Sequence, residues 1–159
     1  MKLRRYQVID QIEVCAPVEE VYAIATNPEI VPCYAREIER IELVQRLDKG
    51  RALVRSYLRV GKLTFTYLYR YHYRSPTHYS GVQERGRLLR GYFSFNFQTS
   101  GDRTVICHAE GLLSPVPFLA SLVGFVYFRV LTQEGLREEQ RNLKTIIESR
   151  ITQPAVHPG

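Results

Sequence analysis

The chain has 159 residues, a formal net charge of +6 and a sequence pI of about 9.4. This length predicts a single domain with a substantial core, and 45% hydrophobic with 24% charged residues excludes a disordered or fibrous chain. The basic balance permits contact with anionic lipid, RNA or an acidic ligand, but it specifies none of them.

The cysteines and the N-terminal segment bear on the cellular compartment. Cys15, Cys33 and Cys107 are far apart in the sequence and form no CxxC pair. The opening stretch MKLRRYQVIDQIEV is charged and has no apolar targeting segment. We therefore expect free, mostly buried thiols and a cytoplasmic location.

The first part of the chain predicts one strand followed by two short helices. Alternating apolar residues indicate a strand over 6–14. Pro17 breaks this strand and begins a helix, because proline suits the first helical turn. The Asn27-Pro28 pair ends that helix, since a residue before proline avoids the helical region. A second short turn or helix over 28–34 follows.

Residues 37–113 predict six consecutive antiparallel strands. Short turns separate runs in which apolar and polar residues alternate, which is typical of a meander. The clearest alternation lies over 63–73 and places four tyrosines on one face. A later strand carries three phenylalanines in the same way. We expect these rings to share the covered face of the sheet: Tyr67, Tyr69, Tyr71, Tyr73, Phe93, Phe95 and Phe97.

A long helix is predicted from Pro117 to Ile151. Its first half is apolar nearly all round, so it needs cover from the core, a ligand, a partner or a lipid surface. Arg129 interrupts this apolar run, which is too short for a convincing membrane span. The second half carries a narrow apolar stripe of Leu131, Leu136, Leu143, Ile146 and Ile147.

The order of elements predicts an α+β fold in one domain. A curved antiparallel sheet of about seven strands would wrap around the long C-terminal helix, with two short helices after strand one. The domain would span residues 1–151, and we expect residues 152–159 to form a flexible tail.

One segment resembles a known superfamily. Residues 16–29, APVEEVYAIATNPE, and the following Pro32 are similar to the opening of START-like (SRPBCC) proteins, which have the helix-grip fold. This superfamily includes polyketide cyclases, coenzyme Q-binding proteins, START lipid-transfer domains and the birch-pollen-allergen group. The resemblance extends over nearly the whole chain, but the motif is structural and identifies the fold better than the function.

The resemblance implies an apolar cavity between the sheet and the long helix. We expect it to bind, transport or present a lipid-, quinone- or polyketide-like molecule, with no cofactor. The alternatives are plain core packing for the rings, and a surface position or an ion pair for Arg129. The expected ligand-binding residues are Tyr34, Tyr67, Tyr69, Tyr71, Phe93, Phe95, Phe97, Leu122, Val126 and Arg129.

An enzyme, such as a polyketide cyclase or dehydratase, is the first alternative. The sequence contains no G-x-S-x-G or H-E-x-x-H motif and identifies no catalytic residue. Asp10 and Glu110 would be acid–base groups only if the strand alternation were shifted by one. The histidines show no metal spacing, and His72 and His108 are expected on the face opposite the apolar one. No metal site is therefore predicted.

A basic outer sheet face supports a second alternative. It would dock on an anionic membrane surface or a ribosome, whereas the plainer interpretation is charge that keeps an exposed sheet soluble. The oligomeric state stays open, with a dimer through the apolar helix start as one option. The outer basic residues are Arg55, Arg59, Arg70, His72, Arg74, Arg87 and Arg90.

Overall fold

A computed structural model describes residues 4–116 and 118–152, apart from the side chains of residues 4, 60, 120, 121 and 124–132. The predicted helix start at Pro117 and the predicted tail beyond residue 152 lie outside the described residues. The elements in chain order are β1 Arg4–Val14, α1 Val18–Ala25, α2 Val31–Tyr34, β2 Ile38–Asp48, β3 Arg51–Val60, β4 Leu63–Arg74, β5 His78–Gln83, β6 Arg90–Ser100, β7 Arg103–Ser114 and α3 Leu119–Thr152.

The seven strands form one antiparallel sheet in the order β1-β7-β6-β5-β4-β3-β2. This order confirms the predicted meander from β2 to β7, and β1 joins the sheet beside β7. The tight turn between β2 and β3 is held locally, because the amide of Gly50 donates to Asp48 Oδ1 over 3.0 Å. The predicted sequence of one strand, two short helices, six strands and a long helix is confirmed.

The aromatic rings of β4, β5 and β6 pack against one another on the concave face. The ring centroids of Tyr71 and Phe93 lie 5.2 Å apart, and those of Tyr79 and Phe93 lie 5.1 Å apart, both edge to face. Gly81 allows this close approach. A Cβ atom at that position would lie 2.4 Å from Phe93 Cε1, so any side chain there would displace the ring.

The C-terminal half of α3 covers the β1 and β7 side of the sheet. Leu136, Leu143 and Ile147 are buried, which confirms these members of the predicted apolar stripe. Polar contacts fix the helix in place: Gln140 Nε2 donates to the carbonyl of Asp10 in β1 over 3.1 Å. Within the described ranges, no helix combines the length and apolar character that crossing a membrane requires.

The expectation of mostly buried cysteines was wrong. Cys15 and Cys33 are exposed, and Cys107 is half-buried. In α2 the neighbouring Val31 and Tyr34 occupy the buried side, so Cys33 between them faces outward. The three thiols are free.

Replacing Leu143 with alanine should lower the free energy of unfolding by about 2–5 kcal/mol. The substitution removes a fully buried side chain from the contact of α3 with the core and leaves a cavity. Urea unfolding followed by circular dichroism measures the change. Leu43→Ala is the matched control, because Leu43 is exposed and its truncation should cost much less. Equal losses in the two variants would contradict this packing of α3.

Candidate functional site: an open aromatic face beside a buried polar cluster

The concave face of the sheet is closed at one end and open at the other. Along β4 the inward-facing residues change from Tyr71, which is 2% exposed, to Phe65 at 41% and Leu63 at 63%. All three side chains point to the same face, since they are separated by even numbers of residues in one strand. Packing therefore fills the concave face near Tyr71 and leaves it accessible near Leu63.

Further exposed apolar side chains come from the segments that reach this open end. They lie before β6, after β7 and in the first turn of α3. The strand registers place the starts of β4 and β6 and the ends of β5 and β7 at the same end of the sheet. A group of exposed large apolar side chains at one end of a sheet favours contact with a ligand, a partner or a lipid. We call this set the apolar rim: Leu63, Phe65, Leu88, Val116, Phe118 and Leu122.

The residues expected to bind a ligand fall into three groups. The first is buried in the core, the second is half-buried toward the open end, and Leu122 is exposed on the apolar rim. The side chains of Val126 and Arg129 lie outside the described part of α3. The buried residues are Tyr34, Tyr71, Phe95 and Phe97, and the half-buried residues are Tyr67, Tyr69 and Phe93.

Tyr34 is a structural residue in this arrangement. Its hydroxyl donates to the carbonyl of Ala25 over 2.7 Å, which ties α2 to the end of α1. Its ring meets Phe95 edge to face. Ile30 and Val31 beside it are buried as well, so the α2 segment is packed against the core.

Tyr67 lines a cavity of about 360 Å³ at the point where β5 ends. The cavity is bordered by residues of both sheet faces, including Arg55 of the outer face and Gln83, the last residue of β5. It is a notch beside the open end rather than an enclosed chamber. The remaining lining residues are Thr66, Leu68 and Arg85.

A polar cluster lies on the same concave face, between β7 and α3. His108 is fully buried, and its ring stacks on Phe95 with centroids 3.7 Å apart. Its Nε2 lies 3.7 Å from Glu110 Oε1, and its Nδ1 lies 3.7 Å from Glu139 Oε1. Neither ring nitrogen has a hydrogen-bond partner among the described residues. Imidazole and carboxylates are also metal-ligand types, and we name these three residues the HEE cluster.

The expected outward position of His108 was wrong. The pairing of β7 with its neighbours sets His108 opposite Asp10 of β1 and Phe95 of β6. Residues that pair directly point to the same face, so His108 shares the concave face with the phenylalanine. Glu110 lies two residues further along the same face. His72, by contrast, is exposed as predicted.

Burial disfavours charge on the HEE cluster. It lowers the pKa of His108 to about 3, so the imidazole is neutral. Burial, together with the negative charge of Glu37, raises the pKa of Glu110 to about 7. Burial also raises the pKa of Glu139 well above its usual range, and the charges of Glu110 and Glu37 add to this. The neutral imidazole of His108 therefore supplies no positive charge that would offset two ionised carboxylates.

Sequence reasoning missed Glu139, although a signal for it existed. Glu139 lies three residues after Leu136 and four before Leu143, both of which were assigned to the buried stripe. Residues at these spacings share a helix face. The position of Glu139 within the buried stripe of the helix therefore predicts an interior carboxylate. His108 had no comparable signal, because it shares its face of β7 with polar residues such as Thr104 and Glu110, whereas the opposite face is largely apolar.

Ion pairs balance several charges of the outer face. Arg59 Nη2 lies 2.8 Å from Glu39 Oε1, and Arg70 Nη2 lies 2.5 Å from Glu84 Oε1. Arg55 approaches Glu42 at 3.6 Å. This pairing favours the interpretation that the outer charges keep the sheet soluble. A membrane or ribosome partner for this face stays a prediction.

Comparison with known proteins identifies the fold. The sequence matches no family model and no curated protein. The structure is similar to a START superfamily protein from Mycobacterium smegmatis, with a TM-score of 0.70 and 18% identity over 91% of this chain and 98% of that one. It is also similar to a protein from Thermus thermophilus, with a TM-score of 0.72 and 18% identity over 91% of this chain and 99% of that one.

An aromatase/cyclase is among the similar structures. The ZhuI aromatase/cyclase from Streptomyces sp. R1128 has a TM-score of 0.75 and 13% identity, and the match covers 99% of this chain and 100% of that one. At these identities the likeness shows the fold alone. The chain has the START-like helix-grip fold that its opening segment resembles.

Glu110→Gln should stabilise the protein at high pH and not at low pH. The carboxyl of Glu110 ionises near 4.5 in the unfolded chain and near 7 in the folded one. The folded state therefore holds the proton more tightly, and the free energy of unfolding falls as pH rises through this window. Glutamine carries no charge and avoids this loss.

The expected gain for Glu110→Gln is roughly 1–3 kcal/mol at about pH 8 and near zero at about pH 4. The lower part of the range is expected, because 31% of the Glu110 side chain is exposed and water screens its charge. Urea unfolding of chelator-treated protein at both pH values measures it. Glu138→Gln is the control, since Glu138 is exposed and pairs with Arg36. Equal or lower stability of Glu110→Gln at pH 8 would contradict the burial of an uncompensated carboxylate.

Proposed function

We propose that this START-like domain binds a hydrophobic small molecule of lipid, quinone or polyketide type on the open part of its concave face. The rising exposure of inward-facing apolar residues along β4, which ends in the apolar rim, carries this proposal. A carrier of such molecules needs an apolar surface that remains accessible while the rest of the core is packed.

The half-buried rings define the floor of the proposed site. Tyr69 lies between the packed core and the open end, with its ring centroid 6.2 Å from those of Tyr71 and Phe93. Burial raises the pKa of the Tyr69 hydroxyl, which therefore stays protonated and can donate a hydrogen bond to a ligand oxygen. The site thus offers an apolar floor with one phenol group, which suits a ring-containing ligand with a few oxygen atoms.

The energy of binding would come mainly from apolar surface. A ligand that buries about 300 Å² of apolar area there gains roughly 7 kcal/mol before the cost of ordering it is subtracted. The proposed path of access is the apolar rim, where Val116 and Phe118 precede α3 and are exposed. The α2 segment is packed, so access there would require its displacement.

Phe65→Asp should weaken the binding of an apolar ligand by roughly 10–100-fold. The change removes an exposed aromatic side chain from the apolar rim and puts a charge at the proposed opening, which forfeits about 1.5–3 kcal/mol. Titration with an anilinonaphthalene sulfonate dye, and its displacement by a fatty acid, a quinone and an aromatic polyketide, measures the effect.

Ile9→Asp is the matched control for this substitution. Ile9 is 50% exposed, but it alternates with the inward-facing Val8 and Asp10 and so lies on the outer face of β1. It should leave dye binding unchanged. Equal weakening by Phe65→Asp and Ile9→Asp would show that the dye reports general surface hydrophobicity, and would count against a site on the concave face.

An aromatase or cyclase activity is the second candidate function. The HEE cluster favours it, because a passive carrier has no need of two buried carboxyls and an unpaired histidine beside its ligand floor. Glu110 is the residue of the cluster that is most exposed toward the concave face, with 31% of its side chain accessible.

The two functions differ in the effect of Glu110→Gln on a bound polyketide. An enzyme would lose conversion of the substrate in this variant while still binding it, because the amide keeps the shape and cannot transfer a proton. A carrier would bind the ligand unchanged and convert none of it in either form. Product analysis by mass spectrometry distinguishes these outcomes.

A further inference from the structure

The HEE cluster has a donor set and spacing that suit a metal ion. One ring nitrogen of His108 and one carboxylate oxygen each from Glu110 and Glu139 lie within 4.8 Å of one another. A tetrahedral ion with bonds of about 2.0–2.1 Å would hold its donors roughly 3.4 Å apart. One ion binds one ring nitrogen, so one carboxylate, 3.7 Å from Nε2 or from Nδ1, is already close to this value, and the other lies within the 4.8 Å bound. Small rotations of the flexible glutamates would close the set.

The unpaired nitrogens of His108 indicate that a partner is required. The side chain is 1% exposed, and neither Nδ1 nor Nε2 has a hydrogen-bond partner among the described residues. A buried polar atom without a partner destabilises the folded state, because the hydrogen bond that it made to water is not replaced. At 3.7 Å the carboxylates are too distant to bond to the ring directly. An ion between these groups would satisfy a ring nitrogen and both carboxylates together.

The electrostatic surroundings point to a cation. Glu37 adds a further carboxylate, because it lines the same small cavity as Glu139. Among the described side chains, the arginines near the cluster are engaged with other acids. Arg137 Nε lies 3.9 Å from Asp10, and Arg36 pairs with Glu138 at 2.6 Å. The described part of the site is thus rich in carboxyl groups, and the two nearby arginines pair with other acids.

We propose that His108, Glu110 and Glu139 bind a divalent first-row transition-metal ion of the Zn²⁺ type. Imidazole favours such ions over Mg²⁺ or Ca²⁺, which prefer sites made only of oxygen atoms. Three protein ligands leave a coordination position open, as in catalytic rather than structural zinc sites. This site goes beyond the proposed binding of a hydrophobic ligand and does not depend on it.

Calorimetric titration of the full chain tests the proposal. Protein freed of metal with EDTA and then dialysed is titrated with ZnCl₂ and, separately, with CoCl₂. The expected result is one strong site per chain, with visible Co²⁺ absorption bands that show nitrogen and oxygen ligands. Bound Zn²⁺ should also raise the melting temperature, because it binds the folded state.

Glu139→Gln and His108→Asn should each weaken Zn²⁺ binding at least roughly 10–100-fold, the loss known for residues that merely support a metal ligand. Glu138→Gln and His72→Asn are the controls: both residues are exposed and lie outside the cluster, so affinity should be unchanged. Circular dichroism establishes that each variant is folded. If His108→Asn does not fold, the nearly isosteric Glu139→Gln decides alone.

Two results would overturn the metal site. One is the lack of strong Zn²⁺ or Co²⁺ binding by the folded wild-type chain. The other is binding that Glu139→Gln leaves unchanged, which would assign the ion to exposed side chains. Neither result would affect binding of the dye to the concave face, so failure of the metal site and failure of the proposed function are distinguishable.

Discussion

A single helix is too narrow to cover this sheet. Seven strands about 4.8 Å apart span roughly 29 Å, whereas a helix with its side chains is about 10–12 Å wide. Among the described residues, the close contacts of α3 with the sheet are to β1 and β7. The remaining concave face must be covered by other groups. Near the closed end, α1, α2 and the large rings of Tyr71, Tyr79 and Phe95 fill it. These groups do not cover the concave face near the start of β4, so the residues of the apolar rim stay exposed there.

The HEE cluster lies between the packed part and the accessible part of the concave face. His108 is sealed beneath α3 and stacks on Phe95, while Glu110, two residues further along β7, already has water access. Such an arrangement is costly for a domain that only needs a stable core, because well-packed apolar residues would avoid the unpaired polar atoms. The position of the HEE cluster beside an accessible apolar floor favours a chemical or metal-binding role for it.

The fold was largely predictable from the sequence, because its signals are local. Alternation over 63–73, the turn at Gly50 and the stripe containing Leu136 and Leu143 each specify an element and its buried face. The aromatic face was likewise predictable from the spacing of Tyr71 and Phe95. What the pattern did not provide is how far packing closes that face, since this depends on which strands α3 covers.

The candidate site was predictable only in part. Tyr67, Tyr69 and Phe93 were expected at a cavity and lie toward the open end, but their role as ligand-binding residues stays a prediction. The HEE cluster was missed because its members belong to β7 and α3, which the chain brings together only in three dimensions. In β7 the face that carries His108 also carries Thr104 and Glu110, so the alternation indicates the wrong buried face, and only the pairing with β1 and β6 determines which face is buried.

Native mass spectrometry of the protein purified from cells tests the central claim most directly. Organic extraction and analysis of the released material would identify the compound. The account predicts a stoichiometric adduct of a hydrophobic small molecule, and its loss when the apolar rim carries a charge. A protein that is empty, and that takes up no fatty acid, quinone or aromatic polyketide, would contradict it. The rings of β4 and β6 would then be core packing alone.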